Sequence, residues 1–568
     1  MEGNEVIEIE NTSIWNQYLK CRDFMERRGI YQDTDINNRM YNGDQWHGLK
    51  MDGVEPIVFN FIKPIIKHKV SNITSNLFAI NYSPENIENI EFMEEAQKTC
   101  DLLNKRASKV WDTDFMDKKV KKWVKQSAIN DEAVAYVTYD LGSNNPITEV
   151  ISKNDIMYGD ENEEEIQLQP FILIRQRKTI LELKEMARQE KIDEKLIEHI
   201  FTDNDTSTVA GDSGKDELED KTWLITRFYR KNGIVCFDQA TQYCEIKKEK
   251  NMGVKLYPIA HFNWEDEEGN ARGIGEVRQL KPNQLETNKT AMRRALTVKN
   301  ISYPQKVINE TAIQNIDAVS KIGSVVRFKD MGNTRASDVF MTTTPGQMGP
   351  DSEKIQTELI NYSRDLNNVS EATVGNINPE SASGRAILAV QNAQNQPLND
   401  QLIGLKTFLE DIARIWFELW KVNARDVLKI QYEEVDPISG EKAYEMGEIS
   451  PLVLDALETS VKVDITPKGA FDKYAQELSL ENMFVNGKIT FDEYVESLDS
   501  DSVMPKAKLE IIMNKRKEAQ KQINQLDQQA QEMKNMMMME QTNAQEIANI
   551  GQQGYQMIDQ AMMEEATV

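Results

Sequence analysis

Between Gly273 and Trp420 the chain is laid out as two helices bracketing a polar insert, followed by a loop of small residues and a long apolar helix. GIGEVRQLKPNQLETNKTAMRRALTVKN reads as the first helix. It stops before Tyr303-Pro304, because proline breaks the helix and restricts the residue ahead of it. The insert 303–350 carries two β-like pieces, PQKVIN and GSVVRFKD, around IDAVSKIG. Residues 351–372 form the second helix, with Ile355, Leu359, Tyr362 and Leu366 on one face. The loop 373–384 follows, and then a helix expected over 385–430. That helix has Leu398, Leu402, Leu405, Leu409, Ile412, Trp416, Leu419 and Val422 at three- and four-residue steps. Pro397 lacks an N–H and clashes with the preceding turn, so a kink is expected there.

The rest of the chain predicts an α+β fold that is mainly α. Residues 12–80 and 88–130 read as helical, with Ile14, Tyr18, Cys21 and Met25, then Ile65, Ile66, Val70, Ile73 and Leu77, then Leu102, Leu103, Ala107, Val110, Trp111, Val120, Trp123, Val124 and Ile129 as core positions. At Ala133 the period changes. AVAYVTYDL, EVISKNDIMYG and QPFILIRQRK are rich in β-branched and aromatic residues, as strands are. ILELKEMARQEKIDEKLIEHIF is a helical insert, and TDNDTSTVAGDSGKDELEDK is a polar loop. WLITRFYRKNGIVCFD holds the hairpin signal Asn232-Gly233, and YCEIKKEK and YPIAHFNWE continue the strands. After Pro437-Ile438-Ser439-Gly440, VKVDITPKGA reads as a strand, and short helices are expected over about 472–516. In the Gln- and Met-rich tail, Ile523, Leu526, Ala530, Met533 and Met537 step as a heptad, broken by Glu540, Gly551 and Gly554 at later core positions. Both a partly disordered tail and a self-associating helix fit that pattern.

Composition narrows the function. A chain of 568 residues, 40% hydrophobic and 28% charged, is globular and long enough for several cores. No apolar run is long enough to span a membrane, and MEGNEVIEIENTS has neither the basic nor the apolar region of a secretory signal. Cys21, Cys100, Cys236 and Cys244 form no disulfide framework and fit a reducing compartment. His47, His68, His199 and His261 lack partners at metal-ligand spacing, and Gly273-Ile274-Gly275 lacks the third glycine of a dinucleotide loop. The carboxylate runs 163–165 and 265–268 are surface charge or, less often, cation sites. With no nucleophile–base pair and no phosphate loop, the chain reads as a mechanical part rather than an enzyme, and no cofactor or metal is expected.

A net charge of −26 argues against tight, indiscriminate DNA binding, which needs Lys and Arg to neutralise phosphates. It is compatible with DNA that must slide. Segment 276–306 departs from the trend, with seven basic and two acidic residues. Lys289, Arg293, Arg294 and Lys299 are its candidate contacts, to DNA or to acidic neighbours. In the loop, Asn376, Asn378, Glu380, Ser381, Ser383 and Gly384 avoid helix and favour turns.

The order helix, insert, helix, small-residue loop and kinked helix resembles the core of the portal proteins, or head-to-tail connectors, of tailed bacteriophages, in their podovirus-type form. PIAHFNWEDEEGNARGIGEVRQLKPNQLETNKTAMRRA is similar to the start of the portal stem, with Gln284 and Asn288 in its leading helix. YSRDLNNVSEATVGNINPESASGRAILAVQNAQNQPL is similar to the second stem helix, the tunnel loop and the start of the tunnel helix. The matching motifs lie within about 257–425. The resemblance implies a wing over 1–272, stem helices over 273–302 and 351–372, and a clip over 303–350. It further implies a tunnel loop over 373–384, a kinked tunnel helix over 385–430, a return to wing and crown over 431–504, and a crown, barrel or disordered tail over 505–568. It also implies a ring of about 12 copies at one capsid vertex of the virion. Double-stranded DNA would pass through unread. Partners would be the terminase large subunit, capsid and scaffolding protein, and head-completion or adaptor proteins. Lys306, Lys321, Arg327, Lys329 and Arg335 would line the clip's docking surface. A structural ring or virion scaffold without a DNA channel is the alternative. A nucleic-acid-processing enzyme is a third reading, and it would need convergent carboxylates or a nucleotide loop.

Overall fold

A computed structural model describes residues 10–48, 55–85, 90–203, 220–302, 306–319, 340–342, 351–366, 396–423, 427–435, 442–466 and 479–498, with parts of 321–335 and 508–558. The fold is mixed α+β with helix predominating. It divides into two compact units, Met1–Pro467 and Lys468–Val568. Among the described residues no helix is long and apolar enough to cross a membrane.

The first unit opens with helices α1 (Ser13–Arg27), α2 (Ile30–Asn42) and α3 (Ile62–Thr74). The chain then departs from the helical expectation. Leu77–Pro84 is a strand, β1, whose antiparallel partner β14 (Thr459–Thr466) lies near the far end of the unit. Leu77 is consequently exposed, whereas Ile65, Ile66, Val70 and Ile73 are buried as expected. Helices α4 (Ile90–Thr113) and α5 (Met116–Asn130) lead into β2 (Glu132–Asp140), which pairs with β3 (Asn145–Ile151) and β9 (Ile259–Asn263) in an antiparallel sheet. A second sheet runs β4 (Ile156–Tyr158), β5 (Phe171–Thr179), β6 (Lys221–Lys231), β7 (Ile234–Ala240) and β8 (Glu245–Asn251). Asn232 and Gly233 turn between β6 and β7 with φ of 53° and 78°, the left-handed pair a tight hairpin needs. The helical insert is α6 (Ile180–Gln189) and α7 (Glu194–Ile197). Thr179 and Glu182 close a capping box on α6.

Helix α8 (Glu276–Ser302) matches the expected first helix and contains Pro282. In the insert, β10 (Lys306–Ile308) pairs with β11 (Phe340–Thr342). Among the described residues of the second expected strand, GSVVRFKD, the pairing is the single bridge Ile313–Phe328. Helix α9 (Asp351–Leu366) follows. Residues 367–395, and with them the loop, lie outside the described residues. Pro397 sits in one 3-10 turn, Gln396–Leu398, and α10 (Asn399–Asn423) begins beyond it. Residues 385–395, the near side of the expected kink, lie outside the described residues. It also ends short of 430, because β12 (Leu428–Val435) begins a hairpin with β13 (Lys442–Ile449) that the sequence reading missed.

Helix α10 is the centre of the main core. Leu405, Leu409, Ile412, Trp416 and Leu419 are buried as the stripe predicts, but so are Phe408, Ala413, Ile415 and Trp420. Trp123 of α5 meets Phe408 edge-on at 5.1 Å, and the Tyr82 hydroxyl of β1 donates to the Ala413 carbonyl at 2.8 Å. From Leu405 to Trp420, α10 buries one face in this core and leaves Thr407 and Arg414 exposed on the other. Helix α11 (Pro451–Ala456) packs against it.

The second unit has its own small cluster. Tyr494, Val495 and Leu498 gather with Met513, Leu480 and Leu509 around α12 (Phe491–Glu496), which Thr490 and Glu493 cap. Of the heptad, Leu526, Ala530, Met533 and Met537 lie outside the described residues.

Candidate functional site

Where α8 leaves the body, the chain from Trp264 to Glu276 is held by buried charges. Glu132, at the first position of β2, is fully buried between the Arg272 guanidinium and His261 Nε2, the latter at 3.0 Å. The other side of the Arg272 fork reaches Glu161 at 2.9 and 3.1 Å and donates to the Ile156 carbonyl at 3.2 Å, while its plane lies 4.7 Å from the centre of the Tyr158 ring. Burial alone would push the Glu132 carboxyl up. The Arg272 charge, the His261 hydrogen bond and the Lys153 charge reverse this and hold it at about 2. Burial likewise opposes the charge on Arg272, yet Glu132 and Glu161 raise its pKa further.

A second layer fixes the first turn of α8. Asp131, with φ of 76°, accepts from the Gly275 N–H at 2.7 Å and pairs with Lys153 at 2.6 Å. A Cβ on Gly275 would lie 2.8 Å from Asp131 Oδ1, so glycine is needed for the approach. Glu276 pairs with Lys69 at 2.8 Å and accepts from Trp264 Nε1 at 3.0 Å. Each of these carboxylates is already bound to a cation, an amide or an indole. That is the arrangement of a brace rather than of a general acid or base.

About two and three turns on, two amides replace apolar residues on the inner face of α8. Gln284 and Asn288 are both fully buried. Gln284 accepts from the Phe61 N–H at 3.0 Å and donates to the Phe59 carbonyl at 2.7 Å; Asn288 accepts from the Phe59 N–H at 3.1 Å and donates to Gln45. The helix thereby supplies hydrogen bonds that backbone groups of residues 59–61, leading into α3, would otherwise lack.

Helix α9 returns antiparallel alongside α8. Asn283 bonds Ser363 at 3.1 Å and Arg294 bonds Gln356 at 3.0 Å, so one index rises as the other falls. The expected apolar face of α9 is only partly covered, with Leu359 half-buried. Gln356 and Ser363 are buried in the pair, whereas Ile355 is 49% and Tyr362 60% exposed. On α8, Leu296, Val298 and Ile301 are exposed as well. The helix pair thus buries polar groups beside its apolar stripe and leaves several apolar side chains exposed.

The predicted basic residues are distributed along this pair and its insert. Lys289 and Lys299 are exposed, Arg293 pairs with Glu286 at 2.8 Å on the surface, and Arg294 is turned inward to Gln356. Lys306, Lys321, Arg327, Lys329 and Arg335 are all exposed on the insert. Lys306 also donates to the Val319 carbonyl, and the Arg327 N–H donates to Asn315 at 2.8 Å. Beneath them, Ala312 and Ile313 pack with Ile308, Val319 and Val326. Asn376, Asn378, Glu380, Ser381, Ser383 and Gly384 lie outside the described residues.

Sequence reasoning missed the brace because its members are scattered over 131–276, and no local spacing marks them. The amides were legible in principle: Gln284 and Asn288 fall in the stripe Val277, Leu280, Ala291, Met292, where apolar residues are expected. Among the described residues no group of three or more His, Cys, Asp or Glu side chains is placed to hold a metal ion. The sequence matches no protein-family model, and no curated protein is significantly similar to it.

Proposed function

We propose that this chain is the subunit of a phage portal ring, the channel for DNA packaging and ejection and the docking point for terminase and head-completion proteins. One observation carries the reading. An antiparallel helix pair, braced by buried charge where it leaves an α/β body, has the small insert between its two helices and exposes its apolar residues. Ile355, Tyr362, Leu296, Val298 and Ile301 along one hairpin are surface that a lone subunit has no reason to expose, and that a neighbouring copy would cover. In this reading α8 and α9 are the stem, the basic insert is the clip, and the loop 373–384 meets its symmetry mates at the axis.

Asn378→Cys tests the channel. Crosslinking across the ring should stall DNA passage in a packaging assay while leaving assembly intact. Unhindered passage after efficient crosslinking would defeat the assignment of 373–384 to the channel axis.

A further inference from the structure

Helices α3 and α5 pack side by side and turn a row of lysines outward. Lys67, Lys118, Lys121, Lys122 and Lys125 are exposed, and none has a carboxylate within 4.0 Å among the described residues. Lys63 and Lys125 both lie over the Tyr41 ring, at 5.7 and 4.9 Å, which joins the two helices into one cationic face. In a chain of net charge −26 that is an unusual surface. Elsewhere in the same unit, the loops following β4 and β9 carry Glu163, Glu164, Glu165, Asp266, Glu267 and Glu268. Glu164 accepts from the Gly269 N–H at 2.6 Å, so the two acidic loops are neighbours. None of these six makes an ion pair among the described residues, and none reaches the lysine face within its own chain.

We infer that the α3–α5 lysine face of one copy docks on the acidic loops 163–165 and 265–268 of the next, making the head-to-tail contact between copies. A contact that repeats by rotation needs two different, complementary surfaces on each copy, and these two faces meet that condition. Charge complementarity favours this occupant because the chain itself supplies the missing counter-charge. The inference rests on the ring reading and deepens it by naming the two surfaces that meet.

The experiment compares full-length wild type with two triple variants by sedimentation velocity and circular dichroism. One is Lys121→Glu, Lys122→Glu, Lys125→Glu; the other is Glu163→Lys, Glu164→Lys, Glu267→Lys. Each variant alone sets like charges face to face, and its assembly should weaken on the order of tenfold or more with helicity retained. Mixed in equal amounts, the two should assemble together, since each altered face now meets its opposite, and high salt should weaken this co-assembly. Variants that assemble alone like wild type, or a mixture of folded variants that stays apart, would overturn the inference while leaving the ring standing. The same holds if the lysine variant forms normal rings but loses retention of duplex DNA. A wild-type chain that is monomeric at every salt concentration would overturn both.

Discussion

Replacing Arg272 by Met tests the brace most sharply. Arg272 is 4% exposed and its guanidinium faces two carboxylates, Glu132 and Glu161, the first of them fully buried. Met fills much of the volume but leaves both acids without their cation. Breaking a buried pair from one side costs about 3–5 kcal/mol. Adding Glu132→Gln should recover a substantial part of that loss, because the stranded charge is then gone. The pH dependence has a definite sign. In the wild type, Glu132 is depressed from 4.5 to about 2, so its stabilisation is fully present above pH 4.5 and is lost as pH falls towards 2. Without Arg272 the largest influence lowering the carboxyl's pKa is gone, so it titrates higher than in the wild type and the variant is penalised most at neutral pH. The gap between wild type and variant should therefore narrow below pH 4.5. Tryptophan fluorescence during urea unfolding is the assay. All eight tryptophans lie in the first unit, so the signal excludes the second. Protein concentration must be held fixed, since assembly adds apparent stability. A loss under about 1 kcal/mol at pH 7, or a gap unchanged by pH, would refute the argument.

Three further outcomes follow from the same geometry. Gln284→Leu should cost about 1–3 kcal/mol for each backbone group it strands and speed hydrogen exchange at the Phe61 amide, with distant strands unaffected. Gly273→Ala places a Cβ 2.5 Å from the Glu265 carbonyl and 2.7 Å from Asn263 Cβ, so the melting temperature should fall by the equivalent of about 1–3 kcal/mol. Arg293→Glu with Arg294→Glu removes the Gln356 bond and reverses two charges on α8; rings should fail to form while circular dichroism stays native, as read by sedimentation velocity.

Local patterns in the sequence were reliable where one element determines its own environment. The hairpin at Asn232-Gly233, the helix boundaries around Asn130 and Ser302, and the buried stripe of α10 all follow from period and turn chemistry. Pairings between distant segments were not legible. Leu77–Pro84 is a strand because Thr459–Thr466 lies beside it, and nothing in its own eight residues outweighs the helix before it. The hairpin Leu428–Ile449 escapes a local reading for a different reason: an apolar helix runs almost to its start and masks the change of period. In α9 the apolar period is met, yet Ile355 and Tyr362 stay exposed while Leu359 is half-buried. An apolar stripe indicates which side is buried only when the burying partner is in the same chain.

Electron microscopy of the purified full-length protein tests the central claim most directly. The ring reading predicts closed particles with a central hole, of about 12 copies, whose side views show a narrow stalk formed by the α8–α9 hairpins with the insert at its tip. A uniform population of compact monomers, at concentrations where the exposed apolar hairpin should be covered, would contradict it.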